Sequence, residues 1–369
     1  MRVDLLRFLL TVALWMAVFL SLFGCNLFSR TSKTQVDTSV PGTSSSVDAS
    51  ETRDEISKNS LTLLKKHDFV TLEKNANGAR QNRERLVGGY WKLETIYKGL
   101  ENPNFKQNSA DTEWQILLAN LEAWKETMPT SVTARVALAN AWISYAGEAR
   151  GDGFANTVSD ENWKLFFQRL SYALTELNGA KDLTPKCPEW YVAMLDIALG
   201  QSWERQRYDK VFEEGFGLEP TYYPLQREKI IYLLPQWNGK EGEISDFIEQ
   251  NSGRIQGEEG DIMRYLLTTT MQPMFKGDIF RRIKIPWPKL KIGYELLKKT
   301  YSVDSYRKNQ FAYLAMYGQD VESAYSTVEE IGDIGDPEVW STQDFYSKTK
   351  TGLEEFHKHV AATNSTARQ

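Results

Sequence analysis

The sequence predicts an all-α protein, a stack of helical hairpins. Three observations predict it. Apolar residues recur at helical spacing: Trp114, Leu117, Leu118, Leu121 and Trp124 fall at i, i+3, i+4, i+7 and i+10. Short Gly-containing turns such as Gly200-Gln201-Ser202 and Gly318-Gln319-Asp320 separate these stretches, and short connections make antiparallel helical neighbours. Alternating Val/Ile runs bounded by Asn-Gly or Asp-Gly, the mark of hairpin strands, are missing.

The chain opens on a different pattern. Arg2 and Arg7 precede an uncharged run from Phe8 to Gly24, which stops at Cys25. A basic start, an apolar core and a small residue before the break mark an export signal, assigned to residues 1–24. The tetrapeptide Leu22-Phe23-Gly24-Cys25 resembles the lipobox of bacterial lipoproteins, and that resemblance implies lipidation at Cys25. The 17 residues from Phe8 to Gly24 are short for a spanning helix, which needs about 20. An uncleaved signal anchor is the alternative, and a plainly cleaved signal ranks third. The expected localisation is the cell envelope, with the body held at the membrane and outside the cytoplasm.

Residues 25–56 read as a flexible tether. Pro41-Gly42-Thr43-Ser44-Ser45-Ser46 and its neighbours hold almost no large apolar residues, too few to offset the entropy of ordering. Cys187 is the second of two cysteines. With Cys25 acylated it has no partner in the chain, and it reads as a buried structural thiol.

Helical elements then follow through a body assigned to residues 57–360. Val136, Ala139, Ala141, Trp142 and Tyr145 follow the break at Pro129, and Trp163 to Leu177 makes the next helix, with Asp160 as its expected cap. Trp190 to Leu199 pairs with Tyr208 to Leu218, and Leu225 to Leu234 with Ile244 to Ile248. Tyr306 to Tyr317 pairs with Val321 to Ile331, and residues 361–369 read as a disordered tail. Aligning Pro220 with the last breaker of a tetratricopeptide-like unit of about 34 residues puts Leu195, Leu199, Tyr208 and Phe212 on packing positions. Ala312 and Ala324 fall where two helices need small residues to approach. Spacing drifts between hairpins, so the expected fold is an irregular α-solenoid, tetratricopeptide-like (TPR-like), whose core needs stacked neighbours.

Several segments also carry a family resemblance: Gly89-Tyr90-Trp91-Lys92-Leu93, Ala146-Gly147-Glu148-Ala149-Arg150-Gly151, Cys187-Pro188-Glu189-Trp190-Tyr191 and Leu218-Glu219-Pro220-Thr221-Tyr222-Tyr223. With Leu233-Leu234-Pro235-Gln236-Trp237 and Asn309-Gln310-Phe311-Ala312, they resemble a bacterial family of TPR-like proteins labelled only as a domain of unknown function. The resemblance runs from about Leu61 to about Phe356. It implies an all-α fold and carries over no catalytic residue.

Charge narrows the function. A formal net charge of −5 argues against a generic nucleic-acid binder. From 280 to 299, Arg281, Arg282, Lys284, Lys289, Lys291, Lys298 and Lys299 face one acid, Glu295. Arg281, Arg282, Lys284, Trp287, Lys289 and Lys291 form the candidate site for an anionic partner, although charge runs are usually solvated surface. Just upstream, Glu241, Glu243, Asp246, Glu249, Glu258, Glu259 and Asp261 stand against Arg254 alone. Pairing between the two regions explains both without a ligand.

No metal or cofactor is expected. Gly257 to Asp261 lacks the ligand spacing of a Ca²⁺ loop, and His357 and His359, two apart, point to different sides of a helix. Gly147 to Gly153 has no preceding strand and no following Lys-Ser/Thr, so it is no phosphate loop. The expected function is binding of a peptide or partner protein at the envelope, without catalysis. The alternative is an exported hydrolase, glycan-acting, with Glu148 or Glu189 as a buried acid of raised pKa.

Overall fold

The computed structural model describes residues 49–366, apart from Gln107 and Phe154. The export signal, Cys25 and most of the tether therefore lie outside the described residues. The described chain is all-helical, and it contains no strand beyond an isolated bridge between Arg85 and Trp91. No helix among the described residues is long and apolar enough to cross a membrane. By contacts, the chain divides into two compact units. The first holds residues 52–84 and 91–239; the second holds 85–90 and 240 onward.

Two boundaries differ from the sequence reading. Helix α1, Ala49–Lys65, begins inside the stretch assigned to the tether. Glu51 to Lys58 contains no Gly or Pro and is rich in charged helix formers, so helix propensity extends past the last Ser-rich run. Helix α18, Gln343–Thr366, likewise runs into the expected tail through Val360, Ala361 and Ala362.

In the first unit, α2 (Phe69–Gln81) and α3 (Lys92–Lys98) precede a succession of longer helices. These are α4 (Asp111–Thr127), α5 (Val132–Arg150), α6 (Asp160–Ala180), α7 (Pro188–Gly200), α8 (Arg205–Leu218) and α9 (Tyr223–Tyr232). Neighbours in sequence pack together: α4 on α5, α5 on α6, α7 on α8. Alternate helices also meet, α5 on α7 and α7 on α9, so one layer continues across successive hairpins. The predicted stripe on α4 is buried to the last residue, with Trp114, Leu121 and Trp124 at 0% exposure. Ser131 caps α5 by accepting from the Ala134 N–H at 2.9 Å. The cap of α6 is Ser159, which accepts from Asn162 N–H; Asp160 sits one position later, where its charge favours the helix N-terminus. Gly147 belongs to α5, so the loop after it starts only at Gly151.

The second unit holds α10 (Glu243–Gly253), α11 (Glu258–Thr270), the short α12 (Gln272–Phe275) and α13 (Ile279–Arg282). It continues through α14 (Trp287–Tyr301), α15 (Ser305–Tyr317), α16 (Val321–Ile331), the short α17 (Pro337–Trp340) and α18. The hairpin α15–α16 forms as the turn at Gly318 predicts, with Ala312 and Ala324 both at 0% exposure between the helices. Helix α14 packs on α11, and Gly293 is the reason they come so close. A Cβ there would lie 2.3 Å from the Asp261 carbonyl oxygen.

The pairing expected between Leu225–Leu234 and Ile244–Ile248 does not describe the packing found. The boundary between the units falls at Gly239–Lys240. Helix α9 packs on α7 and α8 of its own unit, and α10 packs on α11. The turn signals at 239–242 thus fall at the boundary between two units.

Candidate functional site

Charged side chains of the first unit converge in one place although they come from three separate helices. On α3, Glu94 and Lys98 are one helical turn apart and share a face. On α7, Glu189 and Asp196 are two turns apart and share a face of an otherwise apolar helix. Helix α9 contributes Arg227 and Glu228. Arg227 Nη1 donates to Glu94 Oε1 at 2.8 Å, and its Nε donates to Glu228 Oε1 at 3.2 Å. Lys98 Nζ donates to Glu101 Oε1 at 2.9 Å.

The cluster is enclosed but not sealed from water. Lys98 leaves 39% of its side-chain area open to water, yet desolvation is the largest single influence on its charge. Arg227, Glu94, Glu228 and Glu101 are all partly open, between 11% and 18% exposed.

Electrostatics follow from that enclosure. Burial opposes the charges of Lys98 and Arg227, but Glu101 and Glu94 outweigh it, and both cations are held above their ordinary pKa. Burial pushes the Glu101 carboxyl up despite Lys98. Asp196 is pushed well up, first by burial and then by the charge of Glu228, to which it hydrogen-bonds.

Glu189 lies deepest. It is 5% exposed and accepts from Asn140 Nδ2 of α5 at 3.2 Å and from the Tyr222 hydroxyl at 2.6 Å. Burial raises its carboxyl to about 7, against the hydrogen bond from Tyr222; Glu94 adds to the rise. Both oxygens are thus committed to holding α5, α7 and the entrance of α9. Beside it, Cys187 is free, 1% exposed and 3.4 Å from the Tyr97 hydroxyl.

The two carboxylates singled out by sequence are not brought together. Glu148 accepts from the Asn108 N–H at 3.0 and 3.1 Å, and burial raises its pKa. Its charged neighbours are Asp152 and Arg169, whereas those of Glu189 are Glu94, Lys98 and Glu101. Arg169 lies 3.2 Å over the ring of Tyr145 and donates to the Tyr145 carbonyl oxygen.

Sequence reasoning passed over Glu94, Lys98, Glu101, Asp196, Arg227 and Glu228. One signal was readable: Asp196 interrupts the apolar run from Val192 to Leu199, where an acid needs a polar neighbour.

In the second unit, the basic segment alternates. Ile283, Ile285 and Trp287 are buried, while Arg281, Arg282, Lys284 and Lys289 are exposed. The aromatic read as a surface partner of the cations therefore packs inward. Trp287 meets Phe311 at 5.3 Å between centroids and donates Nε1–H to Asp320 Oδ2 at 2.9 Å. Lys291 Nζ donates to the same oxygen at 2.8 Å. Lys289 pairs with Glu249 at 2.9 Å and Lys299 with Glu258 at 3.0 Å, which joins the basic segment to the acidic one. Arg281 pairs with Asp278.

No group of three His, Cys, Asp or Glu among the described residues is placed to hold a metal ion. No family model matches this chain, and no curated protein or solved structure proves similar to it.

Proposed function

We propose that the chain is an envelope-tethered, TPR-like helical stack that binds a peptide or partner protein at the charged cluster of its first unit, without catalysis. The convergence of Glu94, Lys98, Glu101, Asp196, Arg227 and Glu228 from sequence-distant helices, enclosed and still open to water, carries this reading. Charged groups arranged in this way confer specificity and register on a partner more than raw affinity. The contacts of α5 with α7 and of α7 with α9 support a stacked TPR-like layer, and an inner layer of such stacks is a natural seat for an extended or helical peptide. Cys25 and the Ser/Thr-rich segment after it would hold this surface at the membrane.

The test is cross-linking in living cells. A photoreactive amino acid replaces Lys98, and captured proteins are identified by mass spectrometry. A reproducible adduct that weakens in Arg227→Ala supports the reading; equal capture from a photoreactive residue on the far side of α6 opposes it. Labelling with a radioactive fatty acid tests the tether, and an unlabelled Cys25→Ser control is expected.

One observation favours the hydrolase alternative. Asp196 is a carboxyl pushed well up by burial and then by the charge of Glu228, the kind of group that can serve as a general acid in glycan hydrolysis. Release of reducing sugar from envelope glycan, lost in both Asp196→Asn and Glu228→Gln, would establish it over pure binding.

A further inference from the structure

Residues 85–90 belong to the second unit, although Glu84 and Trp91 on either side of them belong to the first. The segment is seated among helices of the second unit. The Gly88 N–H donates to the Ser302 carbonyl oxygen at 3.1 Å, between α14 and α15. Arg307 Nε of α15 donates to the Gly88 carbonyl oxygen at 3.3 Å. Arg307 is buried, and its guanidinium lies 4.7 Å from the centre of the Tyr90 ring. Gly88 and Gly89 are buried at φ of 82° and 74°, a backbone that residues with side chains rarely adopt. A Cβ on Gly89 would lie 2.8 Å from Leu297 Cδ1 of α14.

The two ends of the segment are pinned together. Arg85 and Trp91 form the isolated bridge, the Lys92 N–H donates to the Glu84 carbonyl oxygen at 3.1 Å, and Lys92 Nζ pairs with the Glu84 carboxylate at 2.6 Å. Trp91 follows the segment directly and flanks the start of α3. It is buried, donates Nε1–H to the Thr221 carbonyl oxygen at 3.0 Å, and meets Tyr222 edge to face at 4.8 Å between centroids. Tyr222 in turn holds Glu189. Helix α3 has seven residues, too few to hold in water without tertiary anchors, and it carries Glu94 and Lys98 of the charged cluster. One continuous stretch of backbone thus runs from that cluster to the contacts with α14 and α15.

We propose that residues 85–90 are a strap that couples the charged cluster to the second unit. While the strap is seated, α3 and the α14–α15 pair are ordered together, and unseating it loosens both. Resting on the peptide-binding reading, a partner that fixes Glu94 and Lys98 would also steady the strap, and by linkage an ordered second unit would favour that partner.

Amide hydrogen exchange on the full chain tests the strap with no partner present. Gly89→Val sets a branched side chain at positive φ against Leu297. It should speed exchange about tenfold in α14, α15 and the first turn of α3, while α5 and α6 keep their protection. The control is Gly293→Ala, which parts α11 from α14 without touching the strap; there α3 should stay protected. Should Gly89→Val fail to fold, Tyr90→Leu removes the ring beside Arg307 and should give the same pattern with a smaller rise. Unchanged exchange in α3 in the strap variants, or an equal rise in α3 from Gly293→Ala, overturns the coupling. A failed cross-linking experiment beside coupled exchange overturns peptide binding and leaves the strap standing.

Discussion

Arg227 and Glu94 lie 133 positions apart in sequence, and the guanidinium of one donates to the carboxylate of the other at 2.8 Å. This bond ties α3 to α9. It also explains why three helices can crowd carboxylates together, since each cation of the cluster answers at least one of them.

Removing one partner should expose that dependence. Arg227→Met leaves Glu94 and Glu228 enclosed without their cation, and breaking a buried pair costs about 3–5 kcal/mol. The pair here is partly open, at 18% and 13% exposure, so a loss of roughly 2 kcal/mol is expected after screening. Urea unfolding measures it. Glu94→Gln combined with Arg227→Met should recover part of the loss, and strict additivity would show that the two do not interact.

Glu189 should make stability fall with rising pH. Its carboxyl is raised from 4.5 to about 7 by burial, so the native state binds its proton more tightly than the unfolded chain does. That contribution is fully present below about pH 4.5 and is lost as pH rises through about 7, an amount on the order of 3 kcal/mol. Glu189→Gln should flatten this window. A variant whose stability keeps the wild-type slope between these limits would assign the effect to other groups.

Asp320 should act in the opposite direction. Burial works against its charge, but bonds from Lys291, Trp287 and Ser323 hold its carboxyl well below the usual range. Its stabilisation is present above the ordinary carboxylate pKa and disappears as pH falls through the depressed value. Asp320→Ala removes the cap of α16 and the acceptor of Trp287 together, at a cost of roughly 2 kcal/mol. Thermal unfolding at neutral pH reads this directly, and an unchanged midpoint would count against it.

Gly293→Ala should destabilise the second unit. The added Cβ would sit 2.3 Å from the Asp261 carbonyl oxygen and 2.7 Å from the Tyr265 Cβ, so α11 and α14 must part. Overpacking of this kind costs about 1–3 kcal/mol, which outweighs the helix propensity gained by Ala. The control is Gly253→Ala, where no neighbour lies within 4 Å; it should be neutral or slightly stabilising.

Local pattern was enough for the helices. The stripe from Trp114 to Trp124, the turns at Gly200 and Gly318, and the small residues Ala312 and Ala324 all mark features found in the structure. Caps were read less well, because Ser159 and Asp160 are adjacent polar residues and only backbone geometry chooses between them. The tether and tail boundaries were placed from composition, which does not register the helix propensity of charged or Ala-rich ends. Trp287 shows another limit: sequence adjacency placed it among cations, and burial of every second residue turned it inward.

What the sequence alone determined is the element type, since apolar spacing and turn residues act within a few positions of one another. Tertiary structure decided the division at Gly239 and the partners of α9 and α10, because an apolar face read along the chain does not say which neighbour it will be buried against. It also decided the charged cluster. Glu94 and Arg227 are ordinary surface residues when read along the chain, and with Asp196 they become a site only because packing of α3, α7 and α9 removes most of the water from around them.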